Sequence, residues 1–197
     1  NTKYVYGDLT YGWLTKGVGN YLTTYATFSN TRYVAISEAA ISKVEYFDVA
    51  TFSRIYSSTD LITWTPRTTP SPDNNLWSVA YSSELGLFVA VGFAYIIYSS
   101  DGITWYLANT VGSQWRSVVY SNKEQVFIAV SDYLPKVIRS TDGITWTSRT
   151  SALEAWQDVI FANSIFSAVG TGVAMTSPDG ITWTNRTVAA SNNWQGV

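Results

Sequence analysis

The chain has 197 residues, of which 46% are hydrophobic and 16% aromatic, enough apolar surface for a folded core. Only 13% are charged, with a net charge of −2, which excludes the basic surface that nucleic acids or anionic membranes attract. Cysteine and histidine are absent, which excludes disulfides, catalytic thiols and histidine triads, and no apolar run approaches the ~18 residues that cross a bilayer.

In chain order, residues 1–19 contain two short strand-like segments, and repeating units follow at 20–69, 70–110, 111–150 and 151–187. Each unit contains four short runs typical of β-strands. In the second unit the first three runs are 77–82, 87–92 and 96–99, and Trp77 aligns with Trp115 and Trp156 of the later units. Residues 188–197 begin the first run of a further unit and then stop.

The third and fourth runs of each unit are joined by a repeated motif, Ser-x-Asp-Gly-Ile-Thr-Trp. It occurs at 99–105, 140–146 and 177–183, and at 58–64 Leu61 replaces its glycine. Asp beside Gly predicts a hairpin turn, with Ser and Asp holding the turn by hydrogen bonds. Ile-Thr-Trp then predicts the start of the fourth strand, with Ile and Trp on one face and Trp packed between neighbouring sheets. The motif residues are Asp60, Trp64, Asp101, Gly102, Trp105, Asp142, Gly143, Trp146, Asp179, Gly180 and Trp183.

Four antiparallel strands in about 40 residues form one blade of a β-propeller. The sequence therefore predicts an all-β fold, a single propeller domain over residues 1–197. It has four full blades, with a partial blade at 1–19 and the start of another at 188–197. These end segments either form a split fifth blade or belong to a larger propeller. The split blade would lack its second strand, which favours an excerpt of a longer chain.

The Ser-x-Asp-Gly-Ile-Thr-Trp copies resemble the Asp-box, or BNR, repeat of sialidase-like β-propellers, in a variant one residue shorter between Asp and Gly. The Phe-Val-Ala-Val-Gly run before the motif is similar to repeat proteins of bacteria and phages. The resemblance covers nearly the whole chain and implies that the motif is structural. It also implies that any binding or active site lies on the opposite face, formed by the loops from strand two to three and from blade to blade.

Those loops supply the candidate ligand-binding residues. The longest, 37–53, carries Glu38, Tyr46 and Phe47, which do not recur from unit to unit. Tyr95 and Tyr133 occupy the equivalent loops of the next two blades. Aromatic side chains beside polar ones suit a sugar or protein surface. The alternative is that the long loop only packs on itself.

Three arginines recur at the end of the fourth strand, Arg67, Arg149 and Arg186. They are interpreted either as an anion-binding ring or as charges that protect an exposed sheet edge, and the edge position favours the second.

These features predict a non-catalytic module, not an enzyme, that needs no metal or other cofactor. Its partners are a glycan or protein surface and either further copies, through self-association, or further blades of a longer chain. Neither a nucleic acid nor insertion into a membrane is expected. Low charge with many Ser, Thr and Asn residues favours an extracellular location or display on a virion, phage tail or cell surface, as in adhesion. One alternative is part of a sialidase-like glycoside hydrolase, although no carboxylate pair is recognisable. The other is a purely architectural assembly domain.

Overall fold

The computed structural model describes residues 23–29, 31–37, 55–70, 75–109, 112–134, 136–151 and 154–188, and only the backbone of 23–28 and 37. Its sixteen strands form four separate four-stranded sheets, here called blades one to four. Blade one contains β1 (Thr23–Phe28), β2 (Tyr33–Ser37), β3 (Ile55–Ser58) and β4 (Thr65–Arg67). Blade two contains β5 (Leu76–Ser82), β6 (Leu87–Gly92), β7 (Ile96–Ser99) and β8 (Tyr106–Leu107). Blade three contains β9 (Trp115–Ser121), β10 (Val126–Ser131), β11 (Val137–Ser140) and β12 (Thr147–Arg149). Blade four contains β13 (Trp156–Ala162), β14 (Ile165–Gly170), β15 (Val173–Ser177) and β16 (Thr184–Arg186).

Within each blade the strands pair antiparallel in chain order. The predicted all-β propeller of four-stranded blades is confirmed for the described residues, which contain no helix. They therefore contain no helical stretch of the length and apolar character needed to cross a membrane. The segments predicted as partial blades, 1–19 and 188–197, lie outside the described residues apart from Val188. Closure of a ring stays a prediction.

The first strands of successive blades lie against one another, and the fourth strands form the outer edges. Ser78 of β5 and Ser117 of β9 are buried, and each hydrogen-bonds the first strand of the next blade. The fourth strands are two or three residues long and mostly exposed. Short edges with Pro66 in one of them oppose pairing with other chains. The prediction that strand four is the outer edge is confirmed.

The core lies between blades, and the motif tryptophans belong to it. Trp146 of blade three packs in one cluster with Leu87 and Val89 of blade two, and Trp105 packs with Val34 of blade one. Trp183 packs against the cluster shared by blades three and four. The predicted role of these tryptophans between sheets is confirmed, while Trp64 is only half-buried.

Ser and Asp of the motif hold the turn as predicted. The Ser99 hydroxyl donates to Asp101 Oδ1 over 2.9 Å and accepts the Gly102 N–H over 2.9 Å. Asp101 Oδ1 also accepts the N–H groups of Ile103 and Thr104, both at 2.8 Å. The same bonds recur at three other Ser/Asp pairs, Ser58/Asp60, Ser140/Asp142 and Ser177/Asp179.

The predicted start of strand four is wrong. Because the aspartate takes the N–H groups of Ile103 and Thr104, these residues stay in the turn, and β8 begins only after Trp105. Ile103 is 37% exposed whereas Trp105 is 5% exposed, so the two side chains do not share a face. The motif is therefore a long turn that ends in a buried tryptophan.

Candidate functional site

Two of the five predicted ligand-binding residues lie within the described part of the chain. Tyr95, between β6 and β7, is 39% exposed, and Tyr133, between β10 and β11, is 66% exposed. Glu38, Tyr46 and Phe47 lie outside the described residues. Phe93 and Leu134, in the same two loops, are also exposed.

A buried serine, Ser113, joins these loops at one surface. Its carbonyl oxygen accepts the Ala94 N–H at 2.8 Å, in the loop that carries Tyr95. Its hydroxyl lies within 3.3 Å of the Tyr133 carbonyl oxygen and 3.2 Å of that of Leu134. The blade-to-blade segment thus holds the two aromatic loops together, which the sequence did not predict.

Every first strand has a register shift near its beginning, which is a β-bulge. A bulge places two residues opposite one and re-aims a side chain, and bulges are common beside functional sites. The extra residue differs chemically in each blade: Thr24, Trp77, Arg116 and Gln157.

The bulge also corrects the sequence alignment. Leu76 pairs with Gly92 as Trp156 pairs with Gly170, so Leu76 takes the buried position of Trp115 and Trp156. The alignment of Trp77 with those tryptophans is therefore wrong. Trp77 is equivalent to Arg116, and the difference of one residue turns it away from the core.

Two bulge residues of neighbouring blades stack on each other. The guanidinium carbon of Arg116 lies over the Trp77 ring, and Phe93 packs edge-on against the same ring with centroids 6.4 Å apart. Arg116 also donates from Nε to Asp132 Oδ2 over 2.8 Å, and Lys136 Nζ donates to the Asp132 carbonyl oxygen over 2.6 Å. We call Trp77, Phe93, Arg116 and Asp132 the rim cluster.

Two buried polar atoms of the rim cluster have no partner among the described residues, Trp77 Nε1 and Asp132 Oδ1. One is a donor and the other an acceptor. Unpaired Nε1 atoms also occur in this part of the chain at Trp105, Trp115 and Trp183, which pack between the blades, so these two atoms do not by themselves indicate a ligand. The described residues contain no group of three acidic, histidine or cysteine side chains that could hold a metal ion.

Sequence reasoning found the exposed tyrosines but missed the rim cluster. A usable signal was present: the first run has six residues in blade two and seven in blade three when the tryptophans are aligned. That difference marks the register error, and the corrected alignment places Trp77, Arg116 and Gln157 at one bulge position, where the residue type changes from blade to blade.

The recurring arginines do not form a ring at this surface. Arg67 Nε donates to Ser57 Oγ over 2.8 Å and Arg186 Nε to Thr176 Oγ1 over 2.7 Å, within the outer two strands of their blades. The place of Arg67 and Arg186 on outer edges agrees with the interpretation as edge charges.

No family model matches the chain, and no curated protein matches it in sequence. Solved structures do match its fold. Virginiamycin B lyase from Staphylococcus aureus superposes with a TM-score of 0.72 at 12% identity, over 89% of this chain and 58% of the lyase. A catalytically inactive histidine-to-alanine variant of that lyase with quinupristin gives 0.69 at 12% identity, over 85% and 56%. A nidogen/laminin complex gives 0.61 at 9% identity, over 84% of this chain and 63% of the matched one.

The chain therefore spans less than two thirds of the length of these propellers, and the likeness shows the fold alone. Because the same fold occurs in a lyase, the prediction that this chain is not an enzyme is overturned, since the fold does not exclude catalysis. That prediction was wrong in treating a missing histidine and a missing carboxylate pair as sufficient to exclude catalysis.

Proposed function

We propose that this chain is a propeller module that binds a glycan or a protein surface through the rim cluster and the exposed side chains Tyr95, Tyr133 and Leu134. One observation carries the proposal. Ser113 fixes two aromatic loops beside the stacked pair Trp77 and Arg116, which occupy a bulge position whose residue type changes from blade to blade.

The composition of this surface supports a recognition role. Tyrosine, tryptophan and arginine are the side chains that contribute most to binding when they are held in place before the ligand arrives. The Arg116 side chain is held by both Asp132 and Trp77. Binding of a ligand at the rim cluster would therefore cost little side-chain conformational entropy.

The setting is also a proposal. We infer that the module is displayed on a virion, a phage tail or a cell surface, which the low charge and polar composition support. The hydrogen bonds of the motif turns support membership of the Asp-box repeats.

The test is binding of the labelled protein to a glycan array and to host cells before and after enzymatic deglycosylation. We expect binding that Tyr133→Ala and Leu134→Ser each weaken at least about tenfold, as for exposed anchor side chains. Ile62→Ser is the matched control, because Ile62 is 81% exposed on the opposite face. Loss of binding on deglycosylation assigns a glycan, and retention assigns a protein.

Binding that survives both Tyr133→Ala and Leu134→Ser, or that Ile62→Ser alone abolishes, would place the ligand elsewhere and overturn the proposal. Absence of any binding together with stable self-association would favour an architectural domain instead.

A second candidate is catalysis at the same surface, suggested by the fold shared with virginiamycin B lyase. Arg116, Asp132 and Lys136 supply titratable groups there, but the 197 residues contain no histidine. Incubation with quinupristin and a fluorogenic sialoside, followed by mass spectrometry and fluorescence, tests a lyase and a hydrolase activity. Turnover that Arg116→Ala abolishes would support this candidate.

A further inference from the structure

The outer two strands of blades one and four share a side-chain pair. In blade one, Ile55 pairs with Arg67, and the Arg67 guanidinium reaches the hydroxyl of Ser57 two residues along β3. In blade four, Ala174 pairs with Arg186, whose guanidinium reaches the hydroxyl of Thr176. In both blades a strand-four arginine donates to a strand-three hydroxyl.

Blade three has the arginine but not the hydroxyl. Val137 pairs with Arg149, so the residue two along β11 is Arg139, in the position of Ser57 and Thr176. Opposite and diagonal residues of an antiparallel pair lie on one face, so both guanidinium groups lie on the same side of the sheet. The Nε atoms of Arg139 and Arg149 are buried and have no hydrogen-bond partner among the described residues.

This pair lies on the face of blade three that is turned towards blade four. Val137, on the same face of β11, belongs to the core cluster shared with blade four. Burial and then the charge of Arg149 lower the pKa of the Arg139 guanidinium, while the charges of Asp179 and Glu124 oppose that shift. Neither acid hydrogen-bonds the arginines. Asp179 Oδ1 accepts hydrogen bonds within its own motif turn, and Glu124 forms an ion pair with Lys123.

Two partly exposed guanidinium groups on one face, each with a buried and unpaired Nε, are suited to bind an anion. Guanidinium groups form forked hydrogen bonds with carboxylates and phosphates. A carboxylate needs only one such fork and brings one charge, whereas a tetrahedral oxyanion accepts from two directions and can carry two charges. We propose that Arg139 and Arg149 bind a phosphate or sulfate group, either free or as an ester on a larger ligand.

The first experiment is calorimetric titration with inorganic phosphate and with sulfate, beside thermal unfolding in each salt and in chloride at equal ionic strength. We expect saturable binding and a matching rise in Tm, because a ligand of the native state alone stabilises it. Arg139→Thr recreates the pair of blade four. It should weaken binding at least about tenfold and remove the rise in Tm, as expected for the loss of charged hydrogen bonds.

Arg186→Ala, which breaks the blade-four pair, is the control and should leave anion binding unchanged. Arg149→Gln provides a second variant if Arg139→Thr does not fold. The proposal would be overturned if phosphate and sulfate raised the Tm of the wild-type protein no more than chloride does. It would also be overturned if the Arg139→Thr variant bound phosphate or sulfate as tightly as the wild type. A sulfated disaccharide that binds more tightly than inorganic sulfate, when its unsulfated form does not bind, identifies an ester as the ligand; equal affinity identifies the free anion.

Discussion

The guanidinium carbon of Arg116 in blade three lies 4.1 Å from the centre of the Trp77 ring in blade two. The contact joins two blades at the surface where their first strands begin. It depends on both residues being bulged, because an unbroken alternation would direct one of these side chains to the opposite face.

Replacement of Arg116 by alanine should lower the free energy of unfolding by about 1–2 kcal/mol. It removes the stacking on Trp77 and leaves the half-buried Asp132 carboxylate without its cation. Urea denaturation measures the change. Lys123→Ala, which breaks the exposed pair with Glu124, should change it by less than about 0.5 kcal/mol, and equal effects of the two variants would contradict the role of the stack.

Replacement of Gly143 by alanine should destabilise the chain by about 2–4 kcal/mol. Gly143 has φ of 72°, and a Cβ there would lie 2.6 Å from Leu87 Cδ2 in the preceding blade. The reciprocal change, Leu61→Gly, should stabilise by about 0.5–1 kcal/mol, because Leu61 holds φ of 61° with a side chain 40% exposed. Chemical denaturation of both variants measures the two changes in the free energy of unfolding. Changes of the same sign would contradict the preference for glycine at this position of the turn.

Replacement of Trp146 by alanine should cost about 3–5 kcal/mol, as for other large buried aromatic side chains. Trp146 is 7% exposed and packs on Phe127 with ring centroids 6.3 Å apart. The measurement is again the free energy of unfolding. A loss below about 1 kcal/mol would show that the blades do not depend on this side chain for their packing.

Stability should fall in acid because the motif aspartates lose their charge. Hydrogen bonds from Thr63, Ile62 and Ser58 lower the pKa of Asp60 to about 2. The Ile181 N–H is the main cause that lowers the pKa of Asp179. Burial alone would raise the pKa of Asp101 and of Asp142. Their hydrogen bonds together outweigh this effect, so that the pKa of each is lowered.

A carboxyl group with a lowered pKa in the folded state stabilises that state above the pKa of the unfolded chain, about 4, and loses this contribution as the pH falls through the lower value. Tm measured from pH 7 downwards should therefore decrease below about pH 4. Asp142→Asn should make the decrease shallower, because one titrating group is removed while its oxygen still accepts the two N–H groups. An unchanged slope would exclude Asp142 as a contributor.

Repetition made the blades predictable from sequence, because the Asp-containing motif recurs between the third and fourth strands of each blade and the apolar runs recur where a sheet is buried. The limits of the strands were less predictable. Isoleucine is common in β-strands, but the N–H of Ile103 donates to the carboxylate of Asp101, and this hydrogen bond keeps Ile103 in the turn.

The candidate site was only half predictable. Tyr95 and Tyr133 could be placed on one face because antiparallel order fixes which loops are neighbours. Trp77 could not, because a bulge changes the side-chain alternation without changing the residue types around it. The unpaired Arg139 could not be predicted either, because its proximity to Arg149 depends on the register of the two strands.

The bulge also determines how this scaffold can change. Leu76 and Ser78 stay buried on either side of residue 77, and Trp115 and Ser117 do the same around residue 116. Residues 77 and 116 can therefore be varied together without disturbing the buried side chains on either side of them. A library that varies one codon per blade would sample new specificities on an unchanged framework, and each added blade would multiply the number of combinations.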